Sequence, residues 1–174
     1  MRVIAWSVAA LAVLGAGPVF GEAASAKRLV DRWSGIVFFC SPDFKQGWTI
    51  DACNAITPAV VRQAEAAGIK VAVLEMTSEP QWMAKSAEAG FDGGNAISMV
   101  FQFEGSDKPD GFTALDLVMQ VPVDPKPGVE PSGFLTFLNQ TTTIDPGKHE
   151  DVSVEAAATV FSGVLEFLVK PAPQ

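Results

Sequence analysis

Few side chains in this sequence are equipped for chemistry. The two cysteines, Cys40 and Cys53, lie in CSPDFKQGWTIDAC, and the one histidine, His149, lies in DPGKHED. A thioredoxin-like redox site uses C-x-x-C, whereas twelve residues separate this pair. A zinc site takes about four ligands, and His149 is roughly a hundred positions from Cys53. A covalent staple needs only an oxidising compartment. The cysteines are therefore read as a disulfide, with free or regulatory thiols as the alternative. Closing a loop of this length contributes about 3 kcal/mol in the chain-entropy model.

Catalysis finds little to work with. A general base needs a partner within hydrogen-bond reach, and His149 reads as a solvated loop residue just before the last helix. Ser98 sits in AISM, a plain strand context unlike G-x-S-x-G. Two carboxylates at a fixed separation suffice for glycoside hydrolysis. Asp43 and Asp51 share the cysteine loop and Asp92 lies in a glycine turn, and their spacing fixes no such separation. FDGGN, residues 91–95, lacks the G-x-G-x-x-G pattern that opens a helix onto phosphate. The alternating oxygen ligands of a calcium loop are missing too. No catalytic residue, cofactor or metal is expected. Asn139-Gln140-Thr141 is a glycosylation sequon where a host has that machinery. The remaining hint is aromatic. Trp33 and Trp48 flank the first strand and Trp82 opens the second helix. With Asp43, Trp48 and Trp82 form the candidate binding surface, since exposed aromatics anchor interfaces. The competing reading has both indoles capping the core.

The first 26 residues read as a secretory signal: Arg2, an apolar run from Val3 to Leu14, breakers at Gly15, Gly17 and Pro18, and cleavage after Ala24-Ser25-Ala26. The run is about a dozen residues, short of the roughly 20 that span a bilayer. No cysteine follows it to carry a lipid anchor. The expectation is a periplasmic protein with a single domain over 27–174 and no membrane span. Its net charge of −8 argues against nucleic acid and anionic lipid as partners.

The elements that must position these residues follow from periodicity. IVFFC, 36–40, is a buried strand. A helix over about 51–67 follows, with Asp51 capping its first turn, a second start and break at Thr57-Pro58, and Gly68 ending it. IKVAVLE, 69–75, returns as a parallel strand. Ser78-Glu79-Pro80-Gln81 has capping-box spacing for a helix that stops at Gly90. Residues 96–104 and 113–123 alternate as a hairpin, with Leu115, Leu117, Met119, Val121 and Val123 inward. After the proline-rich loop 124–133, FLTFLNQTTT is a third meander strand, exposed on one face. A helix from Asp151 or Ser153 to Val169 closes the chain, with Glu155, Thr159, Ser162 and Glu166 as its polar stripe. The fold class is α/β to α+β, order βαβαβββα, a mixed sheet with helices packed on it.

This order resembles the amino-terminal domain of TolB and related envelope modules, FlgO-like proteins and the periplasmic part of CsgG-like proteins, over nearly all of residues 34–169. Three stretches carry it: AEAAGIKVAVLE, SAEAGFDGGNAISMVFQFEG and VSVEAAATVFSGVLEFL. The paired cysteines depart from that pattern, and no β-propeller or pore-forming segment follows. The resemblance implies a non-enzymatic envelope module that binds a partner protein, through the 134–142 edge or the Trp48 loop. The alternative is a small-ligand protein with a pocket near Trp48 and Trp82. The exported chain should begin at Lys27, with an intact mass two hydrogens below its reduced form. Two freely alkylated thiols would remove the staple and reopen redox and metal chemistry.

Overall fold

A computed structural model describes residues 29–75, 81–105, 113–144 and 149–169. The strands are β1 (Ile36–Ser41), β2 (Val71–Val73), β3 (Ile97–Gly105), β4 (Thr113–Pro122) and β5 (Phe134–Ile144). The α-helices are α1 (Trp48–Ala66), α2 (Trp82–Glu88) and α3 (His149–Val169). The signal segment 1–26 lies outside the described residues. The strands form one mixed sheet in the order β2-β1-β3-β4-β5, β1 pairing parallel with β2 and β3, and the meander antiparallel. The expected βαβαβββα order and mixed α+β class are those observed.

The order places β2 and β3 on opposite sides of β1. Right-handed crossovers running in opposite directions put their helices on opposite faces, and the packing agrees. Ile36, Phe38 and Cys40 of β1 join the main core with α1 and α3 residues including Ile56, Val60, Phe161 and Leu168. Val37 faces the other way, into a small cluster with Ala72, Ala96, Trp82 and Phe91. Phe38 and Phe101 meet edge-on at 5.8 Å at the centre of the main core. In α3 the stripe Glu155, Thr159, Ser162 and Glu166 is exposed, while Ala157, Phe161, Val164 and Leu168 are buried.

Several boundaries differ from expectation. Helix α1 begins at Trp48 after Gly47, not at Asp51, and runs through Pro58 as one element. Thr57 is no N-cap, because its hydroxyl donates to the Cys53 carbonyl one turn back. Pro58 removes a single helical donor, while buried Ile56, Val60 and Ala64 hold the flanking turns on the core. Gly68 and Gly90 take positive φ after α1 and α2, as their helix-ending role requires. Strand β2 is only three residues long. Ser78, Glu79 and Pro80 of the expected capping box, and most of the β3–β4 turn, lie outside the described residues. The inward run of β4 ends early: Val121 is half-buried and Val123 is 56 % exposed. Val123 lies beyond the end of β4, and β4 and β5 shift register between Met119 and Gln120, where Leu138 and Thr136 are the β5 partners and Phe137 is left over. His149 lies at the start of α3, not in a loop before it.

The FDGGN turn has a structural role. The Asp92 carboxylate accepts from the Gly94 N–H at 2.9 Å and from the Gly128 N–H of the β4–β5 loop at 3.0 Å. A Cβ on Gly94 would lie 2.0 Å from the Lys126 carbonyl oxygen, so the proline-rich loop sits directly on the turn. Gly94→Ala should therefore cost about 1–3 kcal/mol, the usual range for overpacking, read as a lower denaturant midpoint. An unchanged midpoint would show that the loop does not rest there.

Candidate functional site

Cys40 ends the buried part of β1 and Cys53 lies in the second turn of α1, with their Cα atoms 5.6 Å apart and their sulfurs bonded. A disulfide is the chemistry of an oxidising compartment. Between the cysteines runs the loop that carries Asp43 and leads to Trp48. Asp43 organises it. Its carboxylate accepts from the Lys45 N–H at 3.0 Å and from the Gly105 N–H at the end of β3. Its carbonyl accepts from the Thr49 hydroxyl at 2.9 Å. Gln46 completes the brace: its amide oxygen accepts from the Trp48 indole N–H and from the Thr113 hydroxyl, both at 2.9 Å. The half-buried Trp48 ring meets Phe103 edge-on at 5.6 Å. A Cβ on Gly105 would fall 1.5 Å from the Gln46 amide nitrogen, so any larger residue there would have to displace the Gln46 side chain from the brace.

Trp82 belongs elsewhere. Its N–H donates to the Gly93 carbonyl at 2.7 Å, and its ring lies 5.1 Å from that of Phe134. It packs in the small cluster on the opposite face of the sheet from Trp48. Asp43 and Trp48 are thus brought together, and Trp82 is not. Both indoles are half-buried and hydrogen-bonded, which is how a buried indole is accommodated. The exposed aromatic of the cysteine loop is Phe44, at 70 %. Sequence reasoning passed over it because an exposed and a packed phenylalanine look alike in a loop without periodicity.

The concavity beside the disulfide lies between α1 and the edge of β2. It measures about 310 Å³ and is lined by Cys40, Cys53, Thr57, Pro58, Val73 and Glu75 among others. Neither Trp48 nor Trp82 is among its described walls. At its rim Glu75 lies 3.5 Å from the Lys85 ammonium, which also meets Glu88 at 3.3 Å. The hydrogen bond from Lys85 to Glu88 and the nearby carboxylate charges raise the lysine pKa above its ordinary value. Among the described residues no three His, Cys, Asp or Glu side chains could hold a metal ion.

Among the described residues the sheet also presents an open edge. Strand β5 ends the sheet, and its eleven residues, FLTFLNQTTTI, contain no charge and no proline. Most of them are exposed, including Leu135 at 58 % and Phe137 at 39 %. Natural edges are guarded by charge, proline, shortness or a bulge. Of these β5 has only the bulge at Phe137. No helix among the described residues is long and apolar enough to cross a membrane.

No family model matches the chain, and no curated protein matches it in sequence. Among solved structures it is similar to the PelC dodecamer of Paraburkholderia phytofirmans, seen in two crystal forms, one of them of a single-substitution variant. The identity is 14 % and the TM-score 0.42 in each case. The matches cover 79 % and 80 % of this chain and 90 % and 91 % of those. A superposition this loose determines neither fold identity nor function.

Replacing both cysteines, Cys40→Ser with Cys53→Ser, should lower unfolding stability by about 3 kcal/mol. Phe44→Ala, at an exposed position, should leave it within about 0.5 kcal/mol. Equal midpoints for wild type and the double variant would show that the bond adds nothing to the brace.

Proposed function

We propose that this chain is an exported, periplasmic accessory protein of the cell envelope that binds a protein partner along the free edge of β5 and carries out no chemistry of its own. One observation carries the reading: an eleven-residue edge strand without charge or proline, most of it exposed. Such an edge offers main-chain donors and acceptors to an incoming strand. The bonded cysteines and the signal-like first 26 residues support export. The resemblance to TolB-like envelope modules supports the class of function. A second reading, small-ligand binding, rests on the groove beside the disulfide, whose 310 Å³ is at the lower end of the roughly 300–1,000 Å³ of ligand sites.

The test is a photo-crosslinking side chain placed at Asn139 or Thr143 in the exported protein, with Arg62 on α1 as the control. Adducts of defined mass should form from β5 and not from Arg62, and Asn139→Lys should diminish those formed from Thr143. Adducts of equal yield from Arg62, or none from β5, would overturn the proposal.

A further inference from the structure

We infer that the strand seated on the β5 edge is β5 of a second copy, antiparallel to the first about a two-fold axis at Thr141. The inference rests on the partner-binding reading of that edge. It begins with the bulge. Phe137 has no partner on β4, whereas Leu138–Ile144 pairs in unbroken register with Met119–Thr113. The regular, uninterrupted part of the free edge is therefore LNQTTTI.

A two-fold axis at Thr141 sets Leu138 beside Ile144 of the second copy, Asn139 beside Thr143, Gln140 beside Thr142, and Thr141 beside itself. Apolar faces apolar, and every other pair sets an uncharged amide or hydroxyl against an uncharged hydroxyl. Side chains that both donate and accept hydrogen bonds can pair with their own kind, and cross-strand Thr–Thr contacts are favourable. Moving the axis to Gln140 sets Leu138 against Thr142, and moving it to Asn139 sets Leu138 against Gln140. Of these three centres, Thr141 alone sets the apolar ends Leu138 and Ile144 opposite each other. A two-fold, self-complementary contact is the commonest way in which identical chains associate.

Charge points to the same occupant. The chain carries a net −8, so two copies repel over most of their surface. LNQTTTI carries no charge. Asp145 follows it directly in the sequence, outside the paired stretch, and Asp116, one strand in from the edge, accepts a hydrogen bond from the Thr141 hydroxyl. Across the proposed seam the two Asp116 residues are three strand spacings apart, about 14 Å. That exceeds the ~8 Å screening length at physiological salt. Acidic copies can therefore meet here with little electrostatic penalty.

The experiment uses the purified exported protein. Sedimentation should show a monomer–dimer equilibrium. Gln140→Lys with Thr142→Lys sets like charges opposite one another twice across the seam, and should weaken the dimer about tenfold or more. Its far-UV spectrum and unfolding midpoint should stay those of the wild type. Under mild oxidation Thr141→Cys should give a reducible covalent dimer. Asn139→Cys should not, because its own copies are about 13 Å apart along the strands. A chain that stays monomeric, a dimer that survives the double lysine variant, or equal crosslinking from the two cysteine positions would each overturn the pairing. A monomer whose β5 crosslinks to a different envelope protein would overturn the self-pairing alone and leave the partner-binding reading in place.

Discussion

A strand that is apolar on both faces has to be covered twice, and the architecture of this protein follows from that requirement at β1. Ile36, Phe38 and Cys40 need one layer and Val37 needs another. Parallel neighbours on both sides of β1 supply them, because crossovers of one hand leaving in opposite directions deliver helices to opposite faces. Helix α1, later joined by α3, covers the broad side, and the short α2 covers the narrow one. The meander then extends the sheet away from this double-covered centre. With distance from β1 the cover thins, until β5 has only Ile144 buried.

The disulfide and the Asp43–Gln46 brace act on that same centre from its end. The chain leaves β1 and enters α1 within a few residues, and the turn has to be held against the ends of β3 and β4. One carboxylate, one amide and the Cys40–Cys53 bond do this together. Asp92 and Gly94 do the equivalent job at the opposite end, under the β4–β5 loop. Residues that looked like candidates for chemistry, Asp43 and the Asp92 glycine turn, are thereby engaged in fastening loops to the sheet.

Most of the fold was legible because its signals are local and periodic. The short apolar run of β1, the alternation in β3 and β4 and the 4-3-4 polar stripe of α3 each report one element. Helix ends at Gly68 and Gly90 were legible because positive φ favours glycine. What was not legible depended on contacts between distant segments. Pro58 reads as a helix start, and only the packing of its neighbours makes it interior. The bulge at Phe137 is a property of a strand pair and leaves no mark in either strand alone. The separation of Trp48 from Trp82 was illegible for the same reason: both are tryptophans near turns, and only the crossover directions put them on opposite faces.

The composition of β5 also bears on what happens when its edge is left uncovered. A run of uncharged, β-branched and amide side chains without proline is the type of segment that stacks into cross-β ladders. None of the eleven residues is charged, and the gatekeepers that usually flank such segments stand on one side, at Asp145 and Pro146. The same chemistry that makes the edge receptive makes it an aggregation hazard while the chain folds. If β5 pairs as proposed, the supply of its partner becomes a matter of protein homeostasis, and the unpartnered chain is the species that proteases and chaperones would have to clear.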